Sequence, residues 1–323
     1  MSGDGAIHRV ADLLTSTREA PAGSGRAQVL LTGFDPLDEV LTGGLRTEQL
    51  TLVGGRPGIG KTILTLQWAR TIASGGATAT VVCYEHSPRE ILDRLLALEV
   101  RSIARPDEEF EVDDARRAVL GIGTSGAAPS SPLAEEAMRR VQSYGTRLHV
   151  VAADGRSTDL TALDGVAAAA GPGAAIFVDY LQKVPVPGAL HDEDRSRTAV
   201  EGLKDIAMRH QVALVATAAG DRDGIAGRRL RLSHLRGSTA LAHECDVAIL
   251  LNEKATAVSK VALAYNTARA DTFQRQVVFS VEKNRSGQAD LHLEFAKDFA
   301  NYRFDPRGGF MTEKLVDDVL YEE

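Results

Sequence analysis

The chain has 323 residues, of which 44% are hydrophobic, and its formal net charge is -7 at pH 7. This length and composition predict one large globular domain with short appendages, and they exclude a disordered or collagen-like chain. The negative charge excludes a globally basic surface, so any contact with a polyanion has to come from a local basic segment.

The sequence shows no sign of a membrane or secreted protein. No apolar run is long enough to span a bilayer, and the first residues carry acids instead of the basic start and apolar core of a signal peptide. The two cysteines, Cys83 and Cys245, lie far apart in apolar runs and lack metal-ligand spacing. We therefore expect a soluble cytoplasmic protein with buried free thiols and no membrane partner.

The first predicted element is an amphipathic helix over residues 5–19, followed by a flexible linker. From its residues alone, this helix can pack on its own domain or dock on a neighbouring subunit. We predict three parts: residues 1–28 as helix and linker, residues 29–306 as the domain, and residues 307–323 as a C-terminal tail. No function is predicted for the tail.

A glycine-rich loop lies between a predicted strand, Gln49–Val53, and a predicted helix. Its glycines allow successive backbone N–H groups to face phosphate oxygens. Lys61 brings a positive charge to the β- and γ-phosphates, and the Thr62 hydroxyl can ligate Mg²⁺. This arrangement predicts a nucleoside triphosphate site and not a chance glycine-rich turn. The residues of this G-x-x-x-x-G-K-T loop are Gly55, Arg56, Pro57, Gly58, Ile59, Gly60, Lys61 and Thr62.

Strands and helices alternate along the rest of the domain. This alternation predicts an α/β fold with a mostly parallel, doubly wound sheet. Residues 104–135 have a poor pattern, and 121–132 are typical of a mobile surface loop. The predicted strands are Thr78–Tyr84, Leu148–Val151, Ala174–Val178, Val212–Thr217 and Asp246–Leu251, with a late β-hairpin region over Val277–Glu282 and Leu291–Phe295. One predicted helix begins at Ser87, which starts a capping box. Two others span residues 159–169 and Thr198–His210.

Two carboxylates are predicted at the ends of strands near the nucleotide loop. Asp179 follows an apolar strand, where a carboxylate in an open α/β sheet can support Mg²⁺. Glu85 ends the strand that begins at Thr78, which we expect beside the loop strand, and it can polarise a water beside the γ-phosphate. The structural alternatives are a capping aspartate and a surface glutamate.

Two basic segments stand out in this acidic chain. One is a loop that is a candidate contact with a polyanion, although a solvated charged loop has the same composition. The other is the turn with Lys283 and Arg285, which can insert into a neighbouring subunit's site as an arginine finger or remain an exposed hairpin turn. The arginines of the first segment are Arg228, Arg229, Arg231 and Arg236.

Over residues 30–306, these motifs resemble in order the RecA-like motor domain of DnaB-type hexameric replicative helicases. The resemblance implies a RecA-like P-loop NTPase with ATP and Mg²⁺, assembled as a homohexameric ring or helical filament. It also implies single-stranded DNA binding and helicase activity in DNA replication or related DNA processing. The segments that carry it include GRPGIGKT, VVCYEHSPREILDRLLALE, FVDYLQKV, RLSHLRGSTALAHECDVAILL, VEKNRSG and NYRFDP.

The resemblance also implies roles for individual residues. It makes Glu85 the catalytic glutamate, with Lys61 and Asp179 beside it, and it places Gln182 at the nucleotide. Thr62 and Asp179 become the Mg²⁺ residues, and the arginines between 228 and 236 become DNA contacts. Finally, it favours docking of the helix at 5–19 on the next subunit. The residues implied to complete a neighbour's site in trans are Lys283 and Arg285.

Three departures from the family pattern leave other functions open. Residues 1–28 do not contain the family's N-terminal collar domain, Ala218 stands where a sensor glutamine is usual, and Arg236 is followed by Gly-Ser-Thr where Glu-Ser-Gly is common. The main alternative is a KaiC-like assembly or signalling ATPase that binds a protein partner. A RadA-like recombination motor ranks last, because the four-cysteine zinc element is missing.

Overall fold

The computed structural model describes residues 9–10, 27–105, 108–120, 131–189, 191–258 and 270–316. Most of the predicted helix at 5–19 and most of the predicted loop at 121–132 lie outside these residues. Among the described residues, no helix is both long and apolar enough to cross a membrane.

The centre of the molecule is a mixed sheet, which has ten strands within the described residues. From one edge its order is β11-β10-β9-β8-β3-β7-β6-β4-β5, with β12 also paired to β10, while β1 and β2 form a separate two-stranded sheet. The strands are β1 Val29–Leu30, β2 Leu45–Arg46, β3 Leu50–Gly55, β4 Ala79–Cys83, β5 Leu148–Ala152, β6 Ala175–Asp179, β7 Ala213–Ala219, β8 Val247–Glu253, β9 Gln276–Asn284, β10 Leu291–Asp298, β11 Arg303–Phe304 and β12 Gly309–Phe310.

The pairing directions confirm a mostly parallel sheet, but β4, expected beside the loop strand β3, is separated from it by β7 and β6. The order of the strands depends on long-range pairing, which the chain order does not give. The strands from β8 through β5 in this order pair in parallel, and β9 and β10 add an antiparallel hairpin. Helices occupy the connections between the parallel strands, as a doubly wound fold requires. The helices are α1 Asp35–Val40, α2 Lys61–Ser74, α3 Pro88–Ile103, α4 Glu109–Leu120, α5 Pro132–Gly145, α6 Leu160–Ala170, α7 Asp192–His210, α8 Arg222–Ala226, α9 Ser238–Glu244, α10 Lys254–Ala257 and α11 Ala270–Gln274.

The sheet is covered on both faces because side chains of its strands alternate between two cores. In β3, Val53 belongs to the core that contains Trp68 of α2. Its neighbour Leu52 belongs to the other core, with Leu163 of α6 and Leu203 of α7. The parallel strands are therefore rigid, and their carboxyl ends meet along one edge.

The structure corrects the prediction in two helical regions. The helices α4 and α5, which were not predicted from the sequence, pack on α3 around a small core of their own that includes Val100, Val112 and Ala137. Much of this core is alanine and valine, so the apolar periodicity is weak. In addition, α7 begins at Asp192 and not at Thr198, because its polar first turns carry acids that favour a helix N-terminus.

The described part of the predicted tail packs on the domain. Strand β12 pairs with β10, and the buried Leu315 forms a bridge with Val258. Glu313 lies 3.1 Å from the buried ammonium of Lys254. Residues 307–316 are thus attached to the domain, whereas the division of the chain at residue 306 stays a prediction.

Candidate active site

The glycine-rich loop joins the carboxyl end of β3 to α2, as predicted. Gly58 and Gly60 have φ angles of 78° and 99°, a region that L side chains rarely adopt. A Cβ atom on Gly60 would also lie 2.7 Å from the rings of Phe299 and Phe304. Glycine is therefore required at residue 60 both for the backbone turn and for the close approach of these rings.

Lys61 folds back over the loop that it follows. Its Nζ atom donates hydrogen bonds to the carbonyl oxygens of Gly55 at 2.8 Å and Arg56 at 3.0 Å. Burial lowers the pKa of Lys61, and the charges of Asp179 and Glu85 oppose this shift. An ammonium in this position has its charge only partly compensated, which suits an anionic ligand.

Asp179 at the end of β6 lies between two threonine hydroxyls. Thr62 donates to its Oδ2 at 2.6 Å, and Thr217 of β7 donates to its Oδ1 at 2.5 Å. A threonine hydroxyl beside a carboxylate is a hard oxygen set that fits Mg²⁺, an ion that proteins commonly hold with one or two such groups plus phosphate oxygens. Thr217 was not among the predicted site residues, and its contact depends on the pairing of β6 with β7.

These side chains share one cleft of about 370 Å³ at the carboxyl edge of the sheet. The predicted residues Lys61, Thr62, Asp179 and Glu85 all line it, and Glu85 is exposed there. Of the other loop residues, Pro57, Gly58 and Gly60 line the cleft, whereas Ile59 is buried beneath it.

Within the described residues, six further ones that line the cleft were not predicted, and three of them, His86, Arg94 and Tyr302, contact one another in turn. Tyr302 stacks on the guanidinium of Arg94 at 5.4 Å, and Arg94 lies 3.2 Å from a ring nitrogen of His86. The NYRFDP segment resembles a closing strand, but nothing in the sequence indicated that its tyrosine reaches the nucleotide loop. Tyr302 reaches the cleft because β11, the strand that follows it, folds back beside α2.

Gln182 and Arg56, both predicted at the nucleotide, do not line the cleft and instead contact the segment that carries the arginines. The side chain of Gln182 accepts from the backbone N–H of Ala219 at 3.2 Å and donates to the carbonyl of Arg236 at 3.4 Å. Arg56 donates to the carbonyls of Gly224, at 3.3 Å, and Gly227. Both predicted nucleotide-site residues therefore contact the segment between residues 219 and 236 in the free chain, while Ala218 is buried.

The four arginines of this segment do not form one surface. Arg228 is exposed, and the side chain of Arg236 is 51% exposed, 3.9 Å from Asp192. By contrast, the side chain of Arg229 is only 2% exposed and pairs with Glu282 at 3.5 Å. The prediction that Arg229 contacts DNA does not fit this position, because a buried ion pair cannot reach a ligand. Arg231 is partly buried.

Lys283 and Arg285 lie near the amino ends of the parallel strands, whereas the cleft lies at their carboxyl ends. Lys283 pairs with Ala248 near the amino end of β8, and its Nζ donates to the carbonyl of Ala242 at 2.6 Å. Arg285 donates to Asp246 at 3.1 Å and to the carbonyl of His243 at 2.7 Å. The structure therefore does not bring these two cations to the cleft of their own chain.

Comparison with known proteins gives a family match over most of the chain. The model of the DnaB-like helicase C-terminal domain matches residues 29–113 and 138–304. A solved ATPase domain has a similar fold, with a TM-score of 0.71 and 19% identity over 93% of this chain and 98% of that domain. A solved DnaB-like replicative helicase has a TM-score of 0.70 and 18% identity over 94% of this chain and 68% of that one. These similarities confirm the RecA-like α/β fold.

Two relatives show how far the similarity extends. The replicative DNA helicase DnaB of Treponema pallidum is 25% identical over 226 residues, which are 69% of this chain and 48% of the relative. This chain thus spans about half of that relative's length. The DNA repair protein RadA of Mycobacterium tuberculosis is 43% identical, but over only 60 residues, 19% of this chain and 12% of RadA. The chain belongs to the DnaB-like helicase C-terminal domain family.

Proposed function

We propose that this protein is an ATP-hydrolysing DnaB-like motor that acts on single-stranded DNA, with ATP sites between the subunits of a ring or helical filament. The observation that carries the proposal is the cleft that gathers Lys61, Thr62, Asp179 and Glu85. A P-loop cation, an oxygen pair for Mg²⁺ and an exposed carboxylate are the groups that phosphoryl transfer to water uses.

Each group in the cleft has a distinct task. Lys61 exchanges its bonds to the loop carbonyls for bonds to phosphate oxygens. Thr62 and Asp179 would hold Mg²⁺, which would supply charge neutralisation to the phosphates when bound. Glu85 accepts a hydrogen bond from the attacking water and orients it. Tyr302 closes the side of the cleft that faces β11.

We propose that Lys283 and Arg285 complete the site of a neighbouring subunit. They lie at the amino ends of the parallel strands, whereas the cleft lies at the carboxyl ends. A head-to-tail interface brings different surfaces of two identical subunits together, and it closes into a ring or extends into a filament. The structural alternative is that Arg285 only ties the hairpin to Asp246.

For the DNA contact we retain the exposed Arg228 and Arg236, together with Arg231, and omit the buried Arg229. Gln182 contacts the backbone of this segment at Ala219, which lines the nucleotide cleft, and at Arg236. Arg56 of the nucleotide loop contacts it at Gly224. We propose that these hydrogen bonds couple the phosphates to the arginines without a hydrogen-bonding side chain at residue 218. The expected cytoplasmic location stays a prediction.

The first experiment measures ATP hydrolysis with and without single-stranded DNA. Glu85→Gln is expected to lower kcat by about 10² to 10⁴-fold while nucleotide binding is retained, because only the water-orienting group changes. Lys61→Ala is expected to lose nucleotide binding. Arg89→Gln, a surface change outside the cleft, serves as the control. Absence of ATPase activity under conditions in which the wild-type protein assembles would contradict the proposal.

A mixing experiment tests the shared site. Glu85→Gln and Arg285→Ala subunits are expected to be inactive alone, yet mixed assemblies recover part of the activity. At some interfaces the intact Glu85 of an Arg285→Ala subunit meets the intact Arg285 of its neighbour. Circular dichroism checks that each variant is folded. A mixture as inactive as its parts would show that Arg285 does not act in trans.

DNA binding separates the motor from the KaiC-like alternative, which the replacement of the sensor glutamine by Ala218 favours. The motor is expected to bind labelled single-stranded DNA with an affinity that falls as salt rises, and Arg236→Ala is expected to weaken this binding. ATPase activity without salt-dependent DNA binding would favour a signalling ATPase with a protein partner.

A further inference from the structure

A second cleft, of about 630 Å³, lies between α2, α3, α5 and the segment around β11. Within the described residues it shares no lining residue with the nucleotide cleft, although the adjacent residues Tyr302 and Arg303 line one cleft each. We call it the arginine cleft. Its arginines are Arg70, Arg101, Arg140, Arg303 and Arg307.

The charges around the arginine cleft are unevenly placed. Arg70 makes a two-pronged bond to the fully buried Glu99, with contacts of 2.6 and 2.9 Å, and Arg101 lies 3.6 Å from Asp298. Arg140 lies 3.9 Å from Glu99 and 3.4 Å from Glu136, and none of these carboxylates lines the cleft. The one carboxylate that lines the cleft among the described residues is Asp305, 3.5 Å from the exposed Arg307. The cleft therefore presents mainly guanidinium groups, in a chain whose net charge is negative.

Arg303 is the least compensated of these cations. Its Nε atom is buried and has no hydrogen-bond partner among the described residues. Burial lowers the pKa of Arg303, and the charges of Arg101 and Arg307 contribute to the shift while Asp305 and Asp298 oppose it. Because arginine stays protonated in proteins and no carboxylate of the described residues lies within 4 Å of Arg303, the charge of this partly buried side chain lacks a close counter-charge.

The backbone that carries Arg303 is held firmly. The next residue, Phe304, is fully buried, and its backbone N–H and carbonyl both bond to the side-chain amide of Gln67, at 3.0 and 2.9 Å. Arg303 is therefore fixed before any ligand arrives, so binding costs little ordering of this backbone.

We propose that the arginine cleft binds a compact polyphosphate anion, at a site separate from the nucleotide cleft. Guanidinium groups bind phosphate oxygens with two parallel hydrogen bonds, and several of them around a concave cleft of this size suit a ligand with more than one phosphate group. Phosphate groups also occur along a nucleic-acid backbone, but a cleft bounded by several segments fits a compact ligand better than an extended strand.

Isothermal titration with inorganic pyrophosphate tests the proposal, because it separates the two clefts. The wild type is expected to bind at two sites, Lys61→Ala at the arginine cleft alone, and Arg101→Gln/Arg307→Gln at the nucleotide loop alone. A triple variant combines Lys61→Ala with Arg101→Gln and Arg307→Gln. Its affinity for pyrophosphate is expected to be at least about tenfold lower than that of Lys61→Ala, since charge-assisted hydrogen bonds are lost. Arg89→Gln/Arg197→Gln removes the same charge from exposed helix surfaces and is expected to bind as the wild type does.

The outcomes are distinct. If pyrophosphate binds the triple variant as tightly as it binds Lys61→Ala, the arginine cleft is not a phosphate site. If Lys61→Ala binds pyrophosphate at as many sites as the wild type, the proposed nucleotide role of the loop fails. The arginine cleft is then still tested by its own variants. Parallel titrations use a single-stranded oligonucleotide and an oligoglutamate peptide. If Arg101→Gln/Arg307→Gln loses binding of the oligonucleotide or of the peptide but binds pyrophosphate as the wild type does, the choice of a compact polyphosphate would be overturned.

Discussion

At the scale of single residues, neighbours decide what an ionisable side chain can do. Arg228 and Arg229 are adjacent in a basic segment, yet one is exposed and the other is buried against Glu282. Burial raises the pKa of Glu282, while a bond from the backbone N–H of Leu232 and the charge of Arg229 act in the opposite direction. Arg229 is therefore a structural counter-ion.

Replacing Arg229 is expected to affect stability more than DNA binding. Arg229→Met leaves the carboxylate of Glu282 with the N–H of Leu232 but without its paired guanidinium, so we expect the free energy of unfolding to fall by about 3 kcal/mol. The exposed control, Arg228→Met, is expected to change it by less than about 0.5 kcal/mol. Urea denaturation measures both. Unchanged stability together with weaker DNA binding would return Arg229 to the DNA surface.

Both thiols are expected to be unreactive in the folded protein. Burial raises the pKa of Cys245 to about 11 and also raises that of Cys83, so little reactive thiolate forms near neutral pH. Iodoacetamide labelling followed by mass spectrometry should detect both cysteines only after unfolding, with reactivity that increases as pH rises. Rapid stoichiometric labelling of the native chain would contradict this expectation.

At the scale of elements, local signals were reliable where side chains satisfy backbone groups. The capping box predicted at Ser87 is present, with Ser87 accepting from the N–H of Glu90 and Glu90 accepting from the N–H of Ser87. The helices α4 and α5 carry weaker signals, because alanine and valine form much of the face that packs on α3. Their position becomes clear only when the three helices are seen together.

The N-terminal cap of α6 provides a test at this scale. The carboxylate of Asp159 accepts a hydrogen bond from the N–H of Ala162 at 3.0 Å. Asp159→Ala is expected to lower the free energy of unfolding by about 1 kcal/mol, whereas Asp159→Asn, which can also cap, is expected to retain most of it. Equal losses in the two variants, measured by urea denaturation, would show that the cap does not act through this bond.

At the scale of the whole molecule, the proposed active groups are divided between the two ends of the parallel strands of one sheet. The cleft with Lys61 and Glu85 lies at the carboxyl ends of the parallel strands, and Lys283 and Arg285 lie toward the amino ends. If Lys283 and Arg285 complete a neighbour's site, as proposed, the ATPase depends on contact between subunits.

Assembly is therefore expected to respond to the N-terminal segment. If the predicted helix at 5–19 docks on the next subunit, deletion of residues 1–22 should leave a folded chain with weaker assembly and lower ATPase activity per chain. Multi-angle light scattering measures the mass, and circular dichroism confirms folding. An unchanged oligomer mass would show that this helix packs on its own domain or has another role.

The sequence by itself determined the features that short stretches encode. The phosphate loop is contiguous, the alternation of strands and helices predicts a parallel sheet, and Asp179 follows a strand, so the position of its carboxylate at the carboxyl edge could be derived. The resemblance carried by the ordered motifs added the family, which the comparison confirmed. Each of these depends on residues close together in the chain.

Only the tertiary structure decided which distant residues meet. Arg229 pairs with Glu282, 53 residues away, and this burial removed it from the proposed DNA contacts. The contact of Thr217 with Asp179 follows from the pairing of β6 and β7. The arginine cleft likewise collects residues from separate helices and β11. Long-range packing leaves little periodic signal in the sequence, because each contact depends on a side chain placed by another part of the fold.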